Sequence, residues 1–153
     1  MKHLLIVYHS QSGVNARLAQ AVFRGAQQED AVETRVRRAF DADTHDLLWA
    51  DAVILGSAEN FGYLSGGLTD FLARTFYPYQ ECAPQRSLPY AMFCGTGNDG
   101  SGAVRQLRRI VGGFPMREVA EPLIVRGDIG EEALAHCEEL GLTVAAGLAI
   151  GMF

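Results

Sequence analysis

Cysteine is scarce in this chain. Cys82, Cys94 and Cys137 are widely spaced, and they form neither a CxxC pair nor a Cys/His ligand pattern. An odd and scattered set of this kind argues against a disulfide framework and against a zinc site. Long apolar runs are absent too: the most apolar stretch covers residues 142–153, which is shorter than the roughly 20 residues of a membrane-spanning helix. The sequence therefore predicts a protein without a metal site or membrane contact, located in a reducing cytoplasm, whose last stretch is a terminal helix packed on the sheet.

Basic residues are outnumbered as well. The chain has 13 Lys and Arg against 18 Asp and Glu, so its formal net charge is −5. That balance disfavours binding to nucleic acid or to an anionic membrane. The first residues run straight into a strand-like segment, and we expect no signal peptide there. With 153 residues, 48% of them hydrophobic and 20% charged, the chain is predicted to form one domain over residues 1–153.

Strand-like apolar runs alternate with helical patterns along the whole chain. The predicted strands are Leu4–Tyr8, Val32–Arg37, Ala52–Leu55, Tyr90–Cys94 and Val119–Val125. The predicted helices are Ala16–Gln28, Asp43–Ala50, Gly66–Phe76, Gly102–Val111 and Glu131–Leu148. This alternation, without a Pro- or Ser-rich linker, predicts a doubly wound α/β fold: a five-stranded parallel sheet with helices on both faces.

A short loop between the first predicted strand and the first predicted helix carries the clearest functional signal. This segment, loop 1, consists of Ser10, Gln11, Ser12, Gly13, Val14 and Asn15. Such a loop directs backbone N–H groups and the positive end of a helix at one spot, which favours a phosphate group. It lacks the Gly-Lys-Ser/Thr ending of a nucleoside-triphosphate loop. A terminal monophosphate is therefore the predicted ligand, and a capped helix start without a ligand is the alternative.

Two further loops of small residues follow the third and fourth predicted strands. These loops span residues 56–67 and 95–102. Their candidate site residues, called loop 2 and loop 3 below, are Ala58, Glu59, Asn60, Phe61, Gly62 and Tyr63 in the first and Gly95, Thr96, Gly97, Asn98, Asp99 and Gly100 in the second. The two aromatic residues of loop 2 suit stacking on a flat ring, although packing on the adjoining helix is the alternative. The glycines of loop 3 allow the backbone to approach a planar ligand. Because ligands bind at the carboxyl ends of the strands in this class of fold, the three loops predict one site.

Loop 3 also fits the GxGxxG pattern of dinucleotide-binding proteins. That fingerprint normally opens the first βα unit of a fold and needs an acidic residue about 20 positions further on. Loop 3 follows the fourth strand, and Val119 stands near that distance, although Glu118 and Glu121 flank it. The dinucleotide interpretation is therefore the weaker one.

These residues resemble the flavodoxin-like family of FMN-binding proteins, and in particular its small FMN-reductase and quinone-reductase branches. Loop 1 is similar to the family's S/T-x-S/T-G-x-T/N phosphate loop, residues 50–57 to its ADAIIxGS strand, and residues 61–66 to its FGxxSG segment. The resemblance implies a flavodoxin-like sheet of order 2-1-3-4-5. It also implies that loop 1 binds the FMN phosphate and that loops 2 and 3 line the isoalloxazine. Ala58 and Glu59 replace the proline and threonine often found in the family.

The resemblance further implies an NAD(P)H-dependent FMN oxidoreductase that passes electrons to a quinone, a flavin or another small acceptor. No catalytic side chain is predicted, because the cofactor carries the chemistry. A flavodoxin-type electron carrier that serves a redox partner protein is one alternative, and a non-catalytic regulatory module of the same fold is another. A homodimer formed through the apolar residues 148–153 is a further expectation.

Two side chains near the predicted site have competing interpretations. Glu59 is predicted to be a solvated loop carboxylate, and the alternative is a charge that tunes the flavin potential. Cys94 ends a buried-looking strand, which favours an inert core thiol over a redox-active one.

Overall fold

A computed structural model describes residues 1–83 and 85–153 of the chain. Its strands are β1 (Lys2–Tyr8), β2 (Val32–Arg38), β3 (Ala52–Asn60), β4 (Tyr63–Leu64), β5 (Leu88–Thr96), β6 (Met116–Glu118) and β7 (Leu123–Arg126). Its helices are α1 (Val14–Ala26), α2 (Thr44–Trp49), α3 (Gly66–Cys82), α4 (Ser101–Val111) and α5 (Glu131–Ala149). None of the helices among these residues is both long and apolar enough to cross a membrane.

The sheet has the order β2-β1-β3-β5-β6, and β7 also pairs with β5. All of these pairs are parallel, while β4 forms a short antiparallel pair with β3. The predicted order 2-1-3-4-5 is confirmed, since β5 is the fourth predicted strand and β7, which overlaps the fifth predicted strand, pairs with β5. β6 lies just before that predicted strand and also pairs with β5. Tyr8 lies opposite Gly56, and Ser57 lies opposite Cys94. The carboxyl ends of the three central strands therefore meet at one edge of the sheet.

Alternate residues of the central strands pack on opposite faces. Leu4, Ile6 and Ile54 pack in a cluster with apolar residues of α1 and α5. Leu5 and Val7 pack in a second cluster with apolar residues of α2, α3 and α4. These strands are almost continuously apolar because a parallel sheet is covered by helices on both faces. The predicted helices on both faces are confirmed.

Helices α1 and α5 cross with their backbones in contact, and two glycines make this possible. A Cβ added at Gly25 would overlap the backbone of Glu138, and one added at Gly141 would overlap the carbonyl group of Val22. At Gly25 and Gly141 the two helices are thus held close together, because neither position carries a side chain. Because α1 starts at loop 1, this crossing also fixes the position of the loop.

The last strand differs from the prediction. The sequence predicts one strand over Val119–Val125, whereas only residues 123–125 of that range lie in a strand, β7, and the unpredicted β6 lies before it. Val119 still donates its N–H to the carbonyl of Tyr90 (2.9 Å). Pro122 has no N–H to donate to the ladder with β5, which disfavours continuous pairing at this position. The prediction of a continuous strand was wrong.

Candidate functional site

Loops 1, 2 and 3 lie at the carboxyl edge of the sheet, and two side chains join them. Asn15 in loop 1 is buried, with 3% of its surface exposed, and its Oδ1 accepts the N–H of Gly95 in loop 3 (2.9 Å). Glu59 in loop 2 accepts hydrogen bonds from loop 3 and from α4. The predicted site residues are therefore neighbours, and the Oδ1 of Asn15 is already engaged by Gly95.

Loop 1 has the geometry of an open helix start. Gly13 adopts a left-handed conformation (φ 96°), and its N–H bonds the Oγ of Ser10 (3.1 Å). Among the described residues no side chain caps α1. The N–H of Arg17 donates a hydrogen bond to the carbonyl of Gly13. The N–H groups of the first turn before Arg17 are unpaired inside the helix, as at every helix start. Gln11, Ser12, Gly13 and Val14 are exposed, so an anion can reach these donors.

Loop 2 is a β-hairpin that the sequence did not predict. Ala58, Glu59 and Asn60 extend β3, and Phe61 and Gly62 form the two-residue turn into β4. Both turn residues have positive φ, 54° for Phe61 and 75° for Gly62, which is the pattern of the hairpin turns that match strand twist. At the base of the hairpin, the Oγ of Ser57 accepts the N–H of Ser65 (3.0 Å).

Phe61 occupies an unusual position for an aromatic residue. Its side chain is 98% exposed, that of Tyr63 is 60% exposed, and Phe61 is the single non-glycine residue with positive φ in residues 1–83 and 85–153. A left-handed conformation at a bulky residue costs on the order of 1 kcal/mol. The alternative that Phe61 packs on the adjoining helix is wrong. Residues in strained backbone conformations cluster at ligand-binding and active sites, which makes Phe61 a candidate ligand contact.

Glu59 is the largest departure from the sequence-based interpretation of the site. Its carboxylate accepts the hydroxyl of Thr96 and the N–H groups of Gly100, Gly102 and Ala103 at 2.9–3.3 Å. The prediction of a solvated loop carboxylate was wrong, because the side chain of Glu59 extends from β3 to the start of α4, which has no side-chain cap of its own. Sequence reasoning had no signal for this contact, since 37 to 44 positions separate the partners.

Loop 3 is partly strand and partly exposed turn. Gly95 and Thr96 extend β5, whereas Gly97, Asn98 and Asp99 are exposed. The Oδ1 of Asp99 accepts the N–H and the hydroxyl of Ser101, and these bonds hold the pKa of Asp99 below its usual range. Asp99 thus faces α4 with its carboxylate, and the backbone of residues 97–99 is what remains for a ligand.

A cavity beside loop 1 is lined by Ser10 of that loop and by Phe40, which the sequence did not indicate as a site residue. It measures about 160 Å³ and lies between the ends of β1 and β2, where His9, Ser10, Arg38 and Phe40 line it. The rings of His9 and Phe40 meet edge to face at 5.3 Å between centroids. Phe40 follows β2 directly, so its place at the carboxyl edge could have been inferred from the strand order.

Cys94 lies under this site but has the properties of an inert thiol. Burial raises the pKa of Cys94 to about 12, with the Glu59 carboxylate as a second cause, and burial raises the pKa of Cys137 to about 11. Cys82 is exposed. At pH 8 we expect iodoacetamide to add once to the native protein and three times after denaturation, as read by intact mass. Cys82→Ser should remove the native adduct, and a native adduct on Cys94 would contradict this assignment.

Known proteins were compared with this chain by sequence. No protein-family model matches it. A flavodoxin of Aquifex aeolicus (strain VF5) is 31% identical over 71 residues, which are 46% of this chain and 38% of that protein. An NAD(P)H dehydrogenase (quinone) of Acidithiobacillus ferrooxidans is 31% identical over 101 residues, which are 53% of this chain and 50% of that protein. The chain thus spans about half the length, or less, of the curated relatives it matches.

Known structures resemble the chain over nearly its whole length. A flavodoxin from the domain Archaea superposes with a TM-score of 0.83 at 20% identity, covering 95% of this chain and 98% of that one. A flavodoxin, WrbA-like protein from Agrobacterium tumefaciens superposes with a TM-score of 0.80 at 20% identity, covering 99% of both chains. The fold is accordingly the flavodoxin-like doubly wound sheet. The sequence relatives, which are named as a flavodoxin and as quinone dehydrogenases, confirm the predicted resemblance to the flavodoxin-like family.

Proposed function

We propose that this chain binds FMN at loops 1, 2 and 3 and acts as an NAD(P)H-dependent oxidoreductase for a quinone, a flavin or another small acceptor. The observation that carries the proposal is the position of an open helix start and an exposed, strained aromatic residue on the same edge of the sheet. The named activity of the quinone dehydrogenase relatives supports the choice of reaction. We place the protein in the cytoplasm.

The residues of loop 1 fit the phosphate of FMN. The N–H groups on either side of Gly13, whose own N–H bonds Ser10, and the hydroxyl of Ser12 are neutral donors, and the dipole of α1 adds a positive potential. Nothing lies within 4 Å of the position where a Cβ of Gly13 would stand, so the approach to these donors is open. No lysine is needed for a monophosphate held in this way.

The residues of loops 2 and 3 fit the flavin ring. Phe61 and Tyr63 present exposed rings for stacking on one side. The N–H of Asn98 bonds the hydroxyl of Thr96, and the remaining backbone groups of residues 97–99 offer hydrogen bonds to the polar edge of a planar ligand. When bound, FMN supplies the transfer of a hydride or of single electrons. The chain binds and orients the ring, and the nearby carboxylates of Glu59 and Asp99 disfavour additional negative charge on it.

Titration of the flavin-free protein with FMN tests the proposal. We expect saturable binding that quenches flavin fluorescence and shifts the visible spectrum, followed by anaerobic bleaching of the bound flavin on addition of NADH or NADPH. If FMN binds but neither nucleotide bleaches it, the proposed enzyme activity is contradicted, whereas the proposed FMN cofactor is retained. Absence of binding would overturn the proposal and favour a non-catalytic module of the same fold.

A flavodoxin-type electron carrier is the second candidate. The sequence similarity to a flavodoxin favours it. The hairpin turn at Gly62 also favours it, because this turn lies next to the proposed position of the flavin ring. A carrier would be reduced by a partner protein and would take up its two electrons at clearly separate potentials. A single two-electron transition in a reductive titration would favour the enzyme.

A homodimer through residues 148–153, where Ile150 and Met152 are exposed, stays a prediction.

Phe61→Asn is expected to separate stability from binding. Asparagine tolerates the left-handed conformation, so the free energy of unfolding should rise by on the order of 1 kcal/mol. Loss of the stacked ring should raise the Kd for FMN by roughly tenfold. Urea denaturation and FMN titration measure the two effects. Tyr77→Ala removes an exposed ring from the far part of α3 and should leave the FMN affinity unchanged. Unaltered binding by Phe61→Asn would contradict the stacking role.

A further inference from the structure

Glu59 connects the two loops that we assign to the flavin ring. Its Oε1 accepts the hydroxyl of Thr96 (3.2 Å) and the N–H of Gly100 (3.3 Å). Its Oε2 accepts the N–H groups of Gly102 (2.9 Å) and Ala103 (3.2 Å). One side chain from β3 thus gathers the end of β5, loop 3 and the first turn of α4 around a single carboxylate.

This carboxylate replaces the local cap that α4 lacks. The residue before the helix is Gly100 in a left-handed conformation (φ 73°), which has no side chain to bond the free N–H groups. A carboxylate at this place meets both the unpaired donors and the positive end of the helix dipole. It also has two acceptor oxygens, whereas the amide of glutamine has one. The two oxygens of Glu59 accept two donors each, and the amide of glutamine would leave the two donors at its nitrogen without an acceptor.

A second contact joins the same two loops. A Cβ added at Gly102 would overlap the carbonyl group of Gly62 at the tip of the hairpin. The hairpin tip therefore rests directly on the first turn of α4. The Glu59 carboxylate lies beside this contact, since it would be 3.2 Å from the same added Cβ. The hairpin and α4 are held together at two adjacent points.

We infer that Glu59 is a positioning residue that fixes the separation of loops 2 and 3 before the cofactor binds. This inference rests on the proposed function, because loops 2 and 3 are the proposed walls of the flavin site. A site held in its binding geometry loses less conformational freedom on association, so its affinity is higher. Besides Glu59, the hairpin meets α4 through the contact between Gly62 and Gly102 and through Leu64, which is buried in the same apolar cluster as Ala103 and Leu107.

Glu59→Gln tests the inference in two independent readouts. In the flavin-free protein, amide hydrogen exchange should accelerate at least about tenfold at Gly102 and Ala103, and also at Tyr63 on the hairpin, which a simple helix cap would not affect. The Kd for FMN should rise about 10- to 100-fold. Asp43→Asn is the matched control, because Asp43 caps α2 by accepting the N–H groups of His45 and Asp46. That variant should accelerate exchange in α2 and leave FMN affinity unchanged.

The outcomes separate this inference from the proposed function. If the unaltered protein binds no FMN, the proposed function fails, while accelerated exchange on both the hairpin and α4 still supports the coupling by Glu59. If the unaltered protein binds FMN and Glu59→Gln binds it equally well, the inference is overturned and the function stands. Exchange that accelerates only in α4 also overturns it. Should Glu59→Gln not fold, Glu59→Asp, which keeps the charge with a shorter reach, should weaken FMN binding by three- to tenfold, and an unchanged affinity there overturns the inference.

Discussion

Replacing Ser12 by glutamate is expected to abolish FMN binding without unfolding the protein. Ser12 is exposed at the open start of α1. A carboxylate there would occupy the N–H groups proposed for the phosphate and repel its negative charge. Loss of two hydrogen bonds to a charged group, with this repulsion, amounts to about 4 kcal/mol, or about a thousand-fold in Kd. Acidic residues stabilise helix starts, so the fold itself should gain slightly.

Fluorescence titration at constant ionic strength measures the effect, and circular dichroism checks the fold. Gln20→Glu is the matched control, because it makes the same charge change on an exposed position of α1 beyond the first turn. Its Kd should change less than about twofold, since exposed charges at this distance are screened. A Ser12→Glu variant that binds FMN like the unaltered protein would show that the phosphate does not lie at loop 1.

Gly141→Ala is expected to lower the free energy of unfolding by about 2–4 kcal/mol. The new methyl group would overlap the carbonyl of Val22, and a backbone atom cannot rotate away as a side chain can. Alanine is the better helix former, which returns at most about 1 kcal/mol. The overlap can be relieved only if α1 and α5 move apart. Because α1 begins at loop 1, FMN affinity should fall together with stability.

Urea denaturation with an unchanged m value would show that the loss lies in the native state. Gly112→Ala is the control: this glycine follows α4 with an ordinary helical φ of −58°, and the nearest atom to an added Cβ is 3.4 Å away. Its stability should stay within about 0.5 kcal/mol. Equal stability of Gly141→Ala would mean that the two helices do not cross as closely as described.

The order of the elements and the position of the loops follow from sequence because they depend on local pattern. Apolar runs such as Leu4–Tyr8 identify strands buried on both faces, and parallel pairing then brings their carboxyl ends to one edge. Loop 1 was predicted from its position between a strand and a helix. The Cys94 thiol was predicted to be inert for the same kind of reason, since it ends a continuous apolar run.

Contacts between distant residues could not be predicted in this way. The four bonds of Glu59 depend on the geometry of β3 against α4, and nothing near position 59 in the sequence indicates them. The hairpin at Phe61 contradicts local propensity, because an aromatic residue seldom adopts positive φ. The break at Pro122 was visible in the sequence, but the apolar residues on both sides of it favoured one continuous strand.

The interruption between β6 and β7 also affects how the sheet ends. A long, flat, apolar edge strand is a template on which further chains can add and form aggregates. Here one edge consists of segments of three and four residues separated by a proline-containing stretch. The other edge is β2, whose sequence VETRVRR places charges along it. Neither edge offers an incoming strand a long uncharged partner, so the sheet resists indefinite growth at both ends.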